Sequence, residues 1–323
     1  MWAVSEKIQE IMDFEIDLVY TWVDGNDPEW KAKHDAFTGG EDKRGDSNCK
    51  GRYADNDELR YSLRSIATYA PWIHRIFIVT DNQVPEWLNL DNDKIRIVDH
   101  KDFIPKEGLP CFNSTVIEHC MYRIPGLSEH FIYSNDDMFL NKPVTPATFF
   151  TEDGLPIVRM LRSPFRRFTI WFKDKFLSRP LSRYNLALRN SSRLVYKAYG
   201  VYMSEKTHHN IDAFLRSNFE HVANKFKAEF APMMKNHLRT TDDFQRIIYS
   251  YVPIIEKRAR REYVGKDVSY MLRIHHKDSY TKLEKYDPIF FCLNDSQYAS
   301  DDDRERAGKF LAARFPEKSE FEK

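Results

Sequence analysis

The chain has 323 residues, 42% hydrophobic and 30% charged, a balance that marks a soluble globular protein long enough to bury a core in one large domain or two small ones. Nowhere do 18 apolar residues run consecutively, and Met1 to Asp13 lacks a signal-peptide pattern, so neither a transmembrane helix nor a secretory leader is expected. The net charge of zero conceals an asymmetry: Arg159 to Lys197 carries eleven basic residues against one acid, Asp174, on an otherwise acidic protein.

Ile16 to Val23 reads as a first central strand, ended by the turn formers Asp24-Gly25-Asn26-Asp27-Pro28. An acid there, before a tight loop, stands where a nucleotide binds; a plain turn is the alternative. Lys31 to Lys50 is polar, contains glycine and is poor in large apolar residues, which predicts a mobile loop. Asp55 with Glu58 has capping-box spacing and opens a helix whose buried stripe is Leu59, Leu63 and Ile66, with Arg60 and Arg64 one turn apart on a neighbouring face and Pro71 as the stop. Arg75–Thr80 and Lys94–Val98 read as the second and third strands, ending in Asp81-Asn82 and Asp99-His100. Asn113-Ser114 then caps a short helix that carries Glu118 and stops at Pro125-Gly126.

Phe131 to Leu140 reads as a buried strand interrupted at its centre by Asn135, Asp136 and Asp137. Adjacent acids there are costly unless a cation or a charge-assisted hydrogen bond compensates them. Ligands of α/β proteins bind beyond the carboxyl ends of the strands, which puts Asp136 and Asp137 at the mouth of a site. Magnesium suits such a pair, since it takes one or two carboxylates and completes its octahedron with water and substrate phosphate oxygens. Asn-Asp-Asp is also good turn chemistry, and a solvated turn is the alternative. The alternation of strand and helix over residues 1–150 predicts an α/β core with a mainly parallel, Rossmann-like sheet flanked by helices.

From 151 to 205 the basic residues interleave with Phe165, Phe168, Trp171, Phe172 and Phe176. This predicts a basic helical insertion that lies on an anionic membrane surface or tracks a polyanion, with plain soluble surface as the alternative. Neutral overall charge and the lack of a nucleic-acid motif count against nucleic acid. Residues 206–323 read as a helical part that completes the site. His208 and His209 precede a predicted amphipathic helix bearing Ile211, Phe214, Leu215, Val222 and Phe226; a helix start disfavours the imidazolium and favours a base-competent neutral ring. Asn236 to Asp243 leads into a helix with Phe244, Ile247, Ile248 and Tyr251 inward and Pro253 as its stop. Phe290–Leu293 is a short strand ending in Asn294-Asp295, which repeats the arrangement at Asn135-Asp136, and a charged helix with a frayed end comes after it. The cysteines Cys49, Cys111, Cys120 and Cys292 have neither metal-type spacing nor disulfide-scaffold density and read as thiols in a reducing compartment.

Several of these stretches together resemble the Stealth family, which includes bacterial capsular-polysaccharide phosphotransferases and eukaryotic N-acetylglucosamine-1-phosphotransferase. The first conserved region resembles Ile16–Asp27. The second is similar to Arg52–Asp137, including Asp57–Ser65, Ile78-Val79-Thr80, Leu109–Ser114, Arg123–Ser128 and Asn135–Asp137. The third supplies a histidine at His209 or His208 and an arginine at Arg239, the fourth is Cys292–Asp295, and Phe315 to Glu322 resembles capsule members. A proline-containing pattern after the third-region histidine is absent, and Tyr249-Ser250-Tyr251 stands where the family often has paired histidines.

The resemblance implies a glycosyltransferase A-like fold and transfer of a hexose or N-acetylhexosamine 1-phosphate from a UDP-sugar to a glycan hydroxyl in capsular or exopolysaccharide synthesis, forming a phosphodiester and releasing UMP. On the same basis Asp136, Asp137 and Asp295 are expected to hold magnesium or manganese, and Arg64 and Arg239 the phosphates. His209 or His208 is the expected base, and Asp57 joins the catalytic set. Asp24, Asn26 and Thr80 are expected to line the nucleotide-sugar pocket, and Asn113 with Glu118 the sugar. The expected partners are the UDP-sugar donor and a glycan acceptor, in a cytoplasmic protein. Residues 159–197 would meet the anionic polymer product or the inner face of the plasma membrane. The rivals are a metal-dependent glycosyltransferase that releases UDP and a non-catalytic glycan- or polyanion-binding module.

Overall fold

Runs of β-branched and aromatic residues bounded by turn formers become the centre of the fold. The computed structural model describes residues 14–38, 56–163, 165, 168–169, 172, 181–296 and 298–323. Its first half contains β1 (Ile16–Thr21), α1 (Pro28–Thr38), α2 (Glu58–Tyr69), β2 (Ile76–Thr80), β3 (Ile95–Asp99), α3 (Ser114–Cys120), β4 (His130–Asn135) and β5 (Met138–Leu140). The second half adds β6 (Ile157–Leu161), α4 (Arg183–Tyr199), β7 (Lys206–Thr207), β8 (Asp212–Leu215), α5 (Arg216–Lys225), α6 (Lys227–Met233) and α7 (Ile248–Ile255). It closes with β9 (Arg260–Tyr263), β10 (Ser269–Arg273), α8 (Lys277–Tyr286), β11 (Phe290–Asn294) and α9 (Asp301–Arg314).

The main sheet has the order β3-β2-β1-β4-β8, with β1 to β4 parallel and β8 antiparallel at the edge, as the expected mainly parallel α/β core requires. Alternate strand residues feed opposite faces. Val19, Phe77, Val79, Phe131 and Tyr133 pack with α3, α5 and α7 on one side. Leu18, Tyr20, Ile76, Ile78 and Ile132 pack with Leu59, Leu63 and Ile66 of α2 on the other. Two small sheets, β10-β11-β5 and β7-β6-β9, flank it.

The stretch predicted as one strand from 131 to 140 is two. β4 ends at Asn135, the chain turns at Asp136-Asp137, and β5 leaves the main sheet to pair antiparallel with β11. The acids therefore mark the seam between two sheets. Similarly, Asp212–Leu215, predicted as helix, is the edge strand β8, because β4 has an open edge that a backbone ladder satisfies; the helix begins only at Arg216.

Part of the expected loop at 31–50 is helical. Pro28 opens α1 at its first position, Asp27 Oδ1 accepts the Glu29 N–H at 2.8 Å, and Trp30 and His34 are buried one turn apart. Residues 39–50, with Cys49, lie outside the described residues, as does Asp55. The predicted capping box thus falls partly outside the described residues; Asp57 stands at the N-cap with φ 65° and no side-chain cap bond, and the Glu58 carboxylate accepts from Asn56 N at 2.6 Å. Residues 164, 166–167, 170–171 and 173–180 of the basic stretch also lie outside the described residues; its described helical part is α4. The end of the chain is packed rather than frayed, with Phe315 and Phe321 buried and Lys323 N donating to Trp87 O at 2.9 Å. Cys111, Cys120 and Cys292 are buried free thiols. Among the described residues no helix is long and apolar enough to cross a membrane.

Two core histidines set an acid limit on stability. His119 on α3 lies 2.8 Å from Phe244 O through Nε2 and 2.9 Å from the Tyr249 hydroxyl through Nδ1, which satisfies a neutral ring. Burial pushes it, and His100 after β3, down to about 4. The unfolded chain protonates these rings near pH 6.5 and the folded chain only near 4. Their contribution is therefore complete above pH 6.5 and is lost as the pH falls toward 4, at about 1.4 kcal/mol per pH unit for each ring. Urea midpoints measured from pH 7.5 to 4.5 are expected to fall across this window, and less steeply in His119→Gln.

Candidate active site

Strand order reverses between β1 and β4: the chain runs outward from β1 through β2 to β3, then returns to place β4 on the other side of β1. The carboxyl ends beside such a reversal leave a crevice. Here it is a cavity of about 440 Å³, lined from β1 by Thr21, Trp22 and Val23 and from β4 by Asn135, Asp136 and Asp137. Glu118, His209, Arg239 and Asp295 line the same cavity. Of the residues singled out in the sequence, six meet here: Asp136, Asp137, Asp295, Glu118, His209 and Arg239.

The β4 end is braced from below. The Tyr133 hydroxyl lies 2.7 Å from Asn135 Oδ1 and 3.3 Å from Glu118 Oε1, and Thr21 Oγ1 reaches Asn135 Oδ1 at 3.3 Å. Burial pushes the Asp137 carboxyl up, against the opposing charge of His209 and a hydrogen bond from Cys292. Cys292 Sγ donates to Asp137 Oδ2 at 3.3 Å, whereas Asp137 Oδ1 is buried without a hydrogen-bond partner among the described residues. An incompletely compensated carboxylate beside a second one fits a divalent cation that takes two protein carboxylates and substrate oxygens.

Asp295 differs from that pair. Arg304 grips it with Nε at 2.8 Å and Nη2 at 3.2 Å, so its charge is already met by protein. Among the described residues no group of three His, Cys, Asp or Glu is placed to hold a metal. Of the three expected aspartates, Asp295 carries an arginine partner.

His209 and His208 have opposite surroundings. His209 lines the cavity with φ 52°, in the left-handed region that non-glycine residues adopt infrequently. His208 is buried with Nε2 3.3 Å from Asp212 Oδ1, and burial pushes its ring pKa down. Arg239 donates through Nη2 to Ser114 Oγ at the start of α3. Its loop is tied by Asp243, which accepts from Asn236 Nδ2 at 2.9 Å, Thr240 N at 3.0 Å and Asn113 Nδ2 at 3.0 Å.

Six further expected residues, besides His208, lie off the cavity wall. Arg64 makes a bidentate pair with Glu322, both contacts at 2.8 Å, and donates to Phe315 O at 2.8 Å; its donors are spent on tying the C-terminal segment to α2. Asp57 pairs with Arg60 at 3.1 Å. Asp24 accepts the Asn26 N–H at 2.8 Å, and Gln83 binds the main chain of Asp24, so both residues shape the turn after β1. Thr80 is buried at the end of β2, and Asn113 is the buried cap of α3, accepting the Thr115 N–H at 3.1 Å. Asn113 thus supports the Arg239 loop from behind.

The sequence reading missed Arg246. It lines the cavity, its guanidinium carbon lies 4.5 Å from the Tyr133 ring centroid, and Nη1 donates to Asp212 Oδ2 at 3.0 Å, with Glu118 Oε2 3.7 Å from Nε. Burial works to lower its pKa, but Asp212 and Glu118 outweigh that and hold it above the ordinary arginine value. The one available signal was Asp212, an acid set between Ile211 and Ala213, which calls for a buried cation. Also missed was the aromatic wall, where Trp22, Trp30, Val79 and Phe112 line the side toward β2 and the Trp30 and Phe112 rings meet edge-on at 5.6 Å.

Comparison with known proteins bears on this cavity. The model of Stealth protein conserved region 2 matches residues 52–158 and that of conserved region 1 residues 14–42. An exopolysaccharide phosphotransferase of Lactiplantibacillus plantarum is 32% identical, over 96% of this chain and 97% of that protein. A capsular polysaccharide phosphotransferase of Haemophilus influenzae is 34% identical, over 87% of this chain and 78% of that protein. An exopolysaccharide phosphotransferase of Streptomyces coelicolor is 34% identical over 99% of this chain, which spans only 54% of that relative's length. Among solved structures, the galactosyltransferase LgtC in complex with donor and acceptor sugar analogues is similar with a TM-score of 0.47 and 10% identity, covering 93% of this chain and 95% of that one.

Proposed function

Since this chain belongs to the Stealth family, we propose that it is a sugar-1-phosphate transferase that moves a hexose or N-acetylhexosamine 1-phosphate from a UDP-sugar to a glycan hydroxyl in capsular or exopolysaccharide synthesis. The acceptor oxygen bonds to the sugar-bearing phosphorus, the bond from that phosphorus to the bridging oxygen breaks, and UMP departs. The observation that carries this reading is the meeting of Asp136, Asp137, His209 and Arg239 on one cavity at the β1/β4 reversal.

The cavity has two halves that match the two halves of such a donor. The aromatic wall of Trp22, Trp30 and Phe112 meets the flat base by apolar contact. Two strand spacings, roughly 10 Å, separate the end of β2 from the acids after β4, a span that a nucleoside bridges to its phosphates. Around the cavity Glu58, Glu118, Asp136, Asp137, Asp243 and Asp295 outnumber Arg183, Arg239 and Arg246, so an anionic donor needs an added cation.

Asp136 and Asp137 would hold magnesium or manganese, which when bound neutralises charge on the phosphoryl oxygens. Arg239 binds a phosphate, His209 accepts the proton of the acceptor hydroxyl, and Glu118 with Asn135 hydrogen-bonds the sugar. The test is to supply the purified protein with magnesium, UDP-N-acetylglucosamine or related nucleotide sugars, and an oligosaccharide acceptor. UMP with a phosphorus-containing glycan is the expected product. Release of UDP would make the protein a glycosyltransferase, and glycan binding without turnover would make it a binding module.

A further inference from the structure

Cys292 lies on β11 opposite Met138, the first residue after the paired acids. Its neighbour Leu293 donates its N–H to Asp137 O at 2.8 Å, while the Cys292 thiol donates to Asp137 Oδ2 at 3.3 Å. One strand thus holds Asp137 by main chain and side chain at once. The thiol is fully buried.

We propose that Cys292 is a positioning residue for the cation site, a thiol that fixes the rotation of the Asp137 carboxylate and leaves Oδ1 for the ligand. A thiol orients an oxygen while compensating its charge only weakly, since S–H is a poor donor. The second observation is the other oxygen of the same carboxylate: Oδ1 is buried and has no hydrogen-bond partner among the described residues. With one oxygen pinned and the other unsatisfied, the carboxylate is aimed before a cation binds, which is the usual work of groups standing behind metal ligands.

This inference rests on the reading that Asp136 and Asp137 bind a divalent cation. The experiment titrates the full chain with Mn2+, observed by electron paramagnetic resonance without substrate, for the wild type, Cys292→Ala and Cys292→Ser, with melting curves alongside. Groups behind metal ligands typically contribute about 10- to 100-fold to affinity, and a thiol belongs near the low end, so Cys292→Ala is expected to weaken Mn2+ binding roughly 10-fold. Cys292→Ser, which keeps a donor at the same site, is expected to recover most of that loss even where both variants melt at the same lowered temperature. Wild-type affinity in Cys292→Ala overturns the inference, as does equal weakening in both variants, which would mean that packing alone matters. No Mn2+ binding by the wild type would remove the cation reading and this inference with it.

Discussion

Asp137→Ala is expected to lower kcat/KM by on the order of 10³-fold or more while leaving the melting temperature unchanged or higher. The two effects share a cause. The Asp137 carboxyl is pushed up by burial, one oxygen meets only a thiol and the other has no hydrogen-bond partner among the described residues. Such a group costs the fold free energy, which the proposed cation would recover, and functional sites commonly keep strain of this kind. On the proposed cation reading, losing the ion would remove several kcal/mol of charge stabilisation from phosphoryl transfer, which corresponds to the stated factor. UMP release and calorimetry on the same preparation check both halves. Undiminished turnover would remove Asp137 from the mechanism, and a melting temperature lowered by many degrees would make its carboxylate a structural group.

Arg246→Met is expected to be the most destabilising of the single changes at the cavity. Arg246 and Asp212 are 7% and 4% exposed, so removing the cation strands a buried carboxylate. Burial works to raise the Asp212 carboxyl, yet Arg246 and His208 hold it below the usual carboxylate range. Breaking such a pair costs about 3–5 kcal/mol and lowers the melting temperature by on the order of 10 °C. Adding Asp212→Asn to Arg246→Met is expected to recover part of the loss, because the stranded charge disappears with it. Additive losses in the double variant would show that the two side chains are not coupled.

The parts of the fold and site legible in the sequence are those whose decisive partners lie nearby in the chain. The first three strands were readable because each is a continuous apolar run between turn formers, and both faces of a parallel sheet are buried. Asp136 and Asp137 were readable because two acids interrupt such a run. The fate of the next three residues was not: Met138–Leu140 looks like more of the same strand, and only its pairing with Phe290–Cys292 assigns it to another sheet. Asp212–Leu215 matched a helical spacing through Ile211, Phe214 and Leu215, but the open edge of β4 outweighed local preference. Arg64 and Arg246 show the same limit from opposite directions. Arg64 stood in a family motif and proved to tie down Glu322, distant in sequence; Arg246 had no local signature and proved to join Asp212 to the cavity wall.

The seam between the two sheets has a consequence for how activity fails. The turn that carries the acids is held on its far side by the pairing of β5 with β11, which comes from the last tenth or so of the chain and packs against α9. One face of the parallel sheet is covered by α3, α5 and α7 and does not depend on that unit, whereas the other shares its core with Met138, Leu140, Phe290 and Cys292. Opening of the three-stranded sheet alone should therefore be enough to stop turnover. Mild denaturant, or a protease cut near Ser296–Ser300, would silence the enzyme while most of its backbone amides remain protected from exchange. Loss of protection at Leu293 N–H, the amide bonded to Asp137 O, would mark the moment of inactivation.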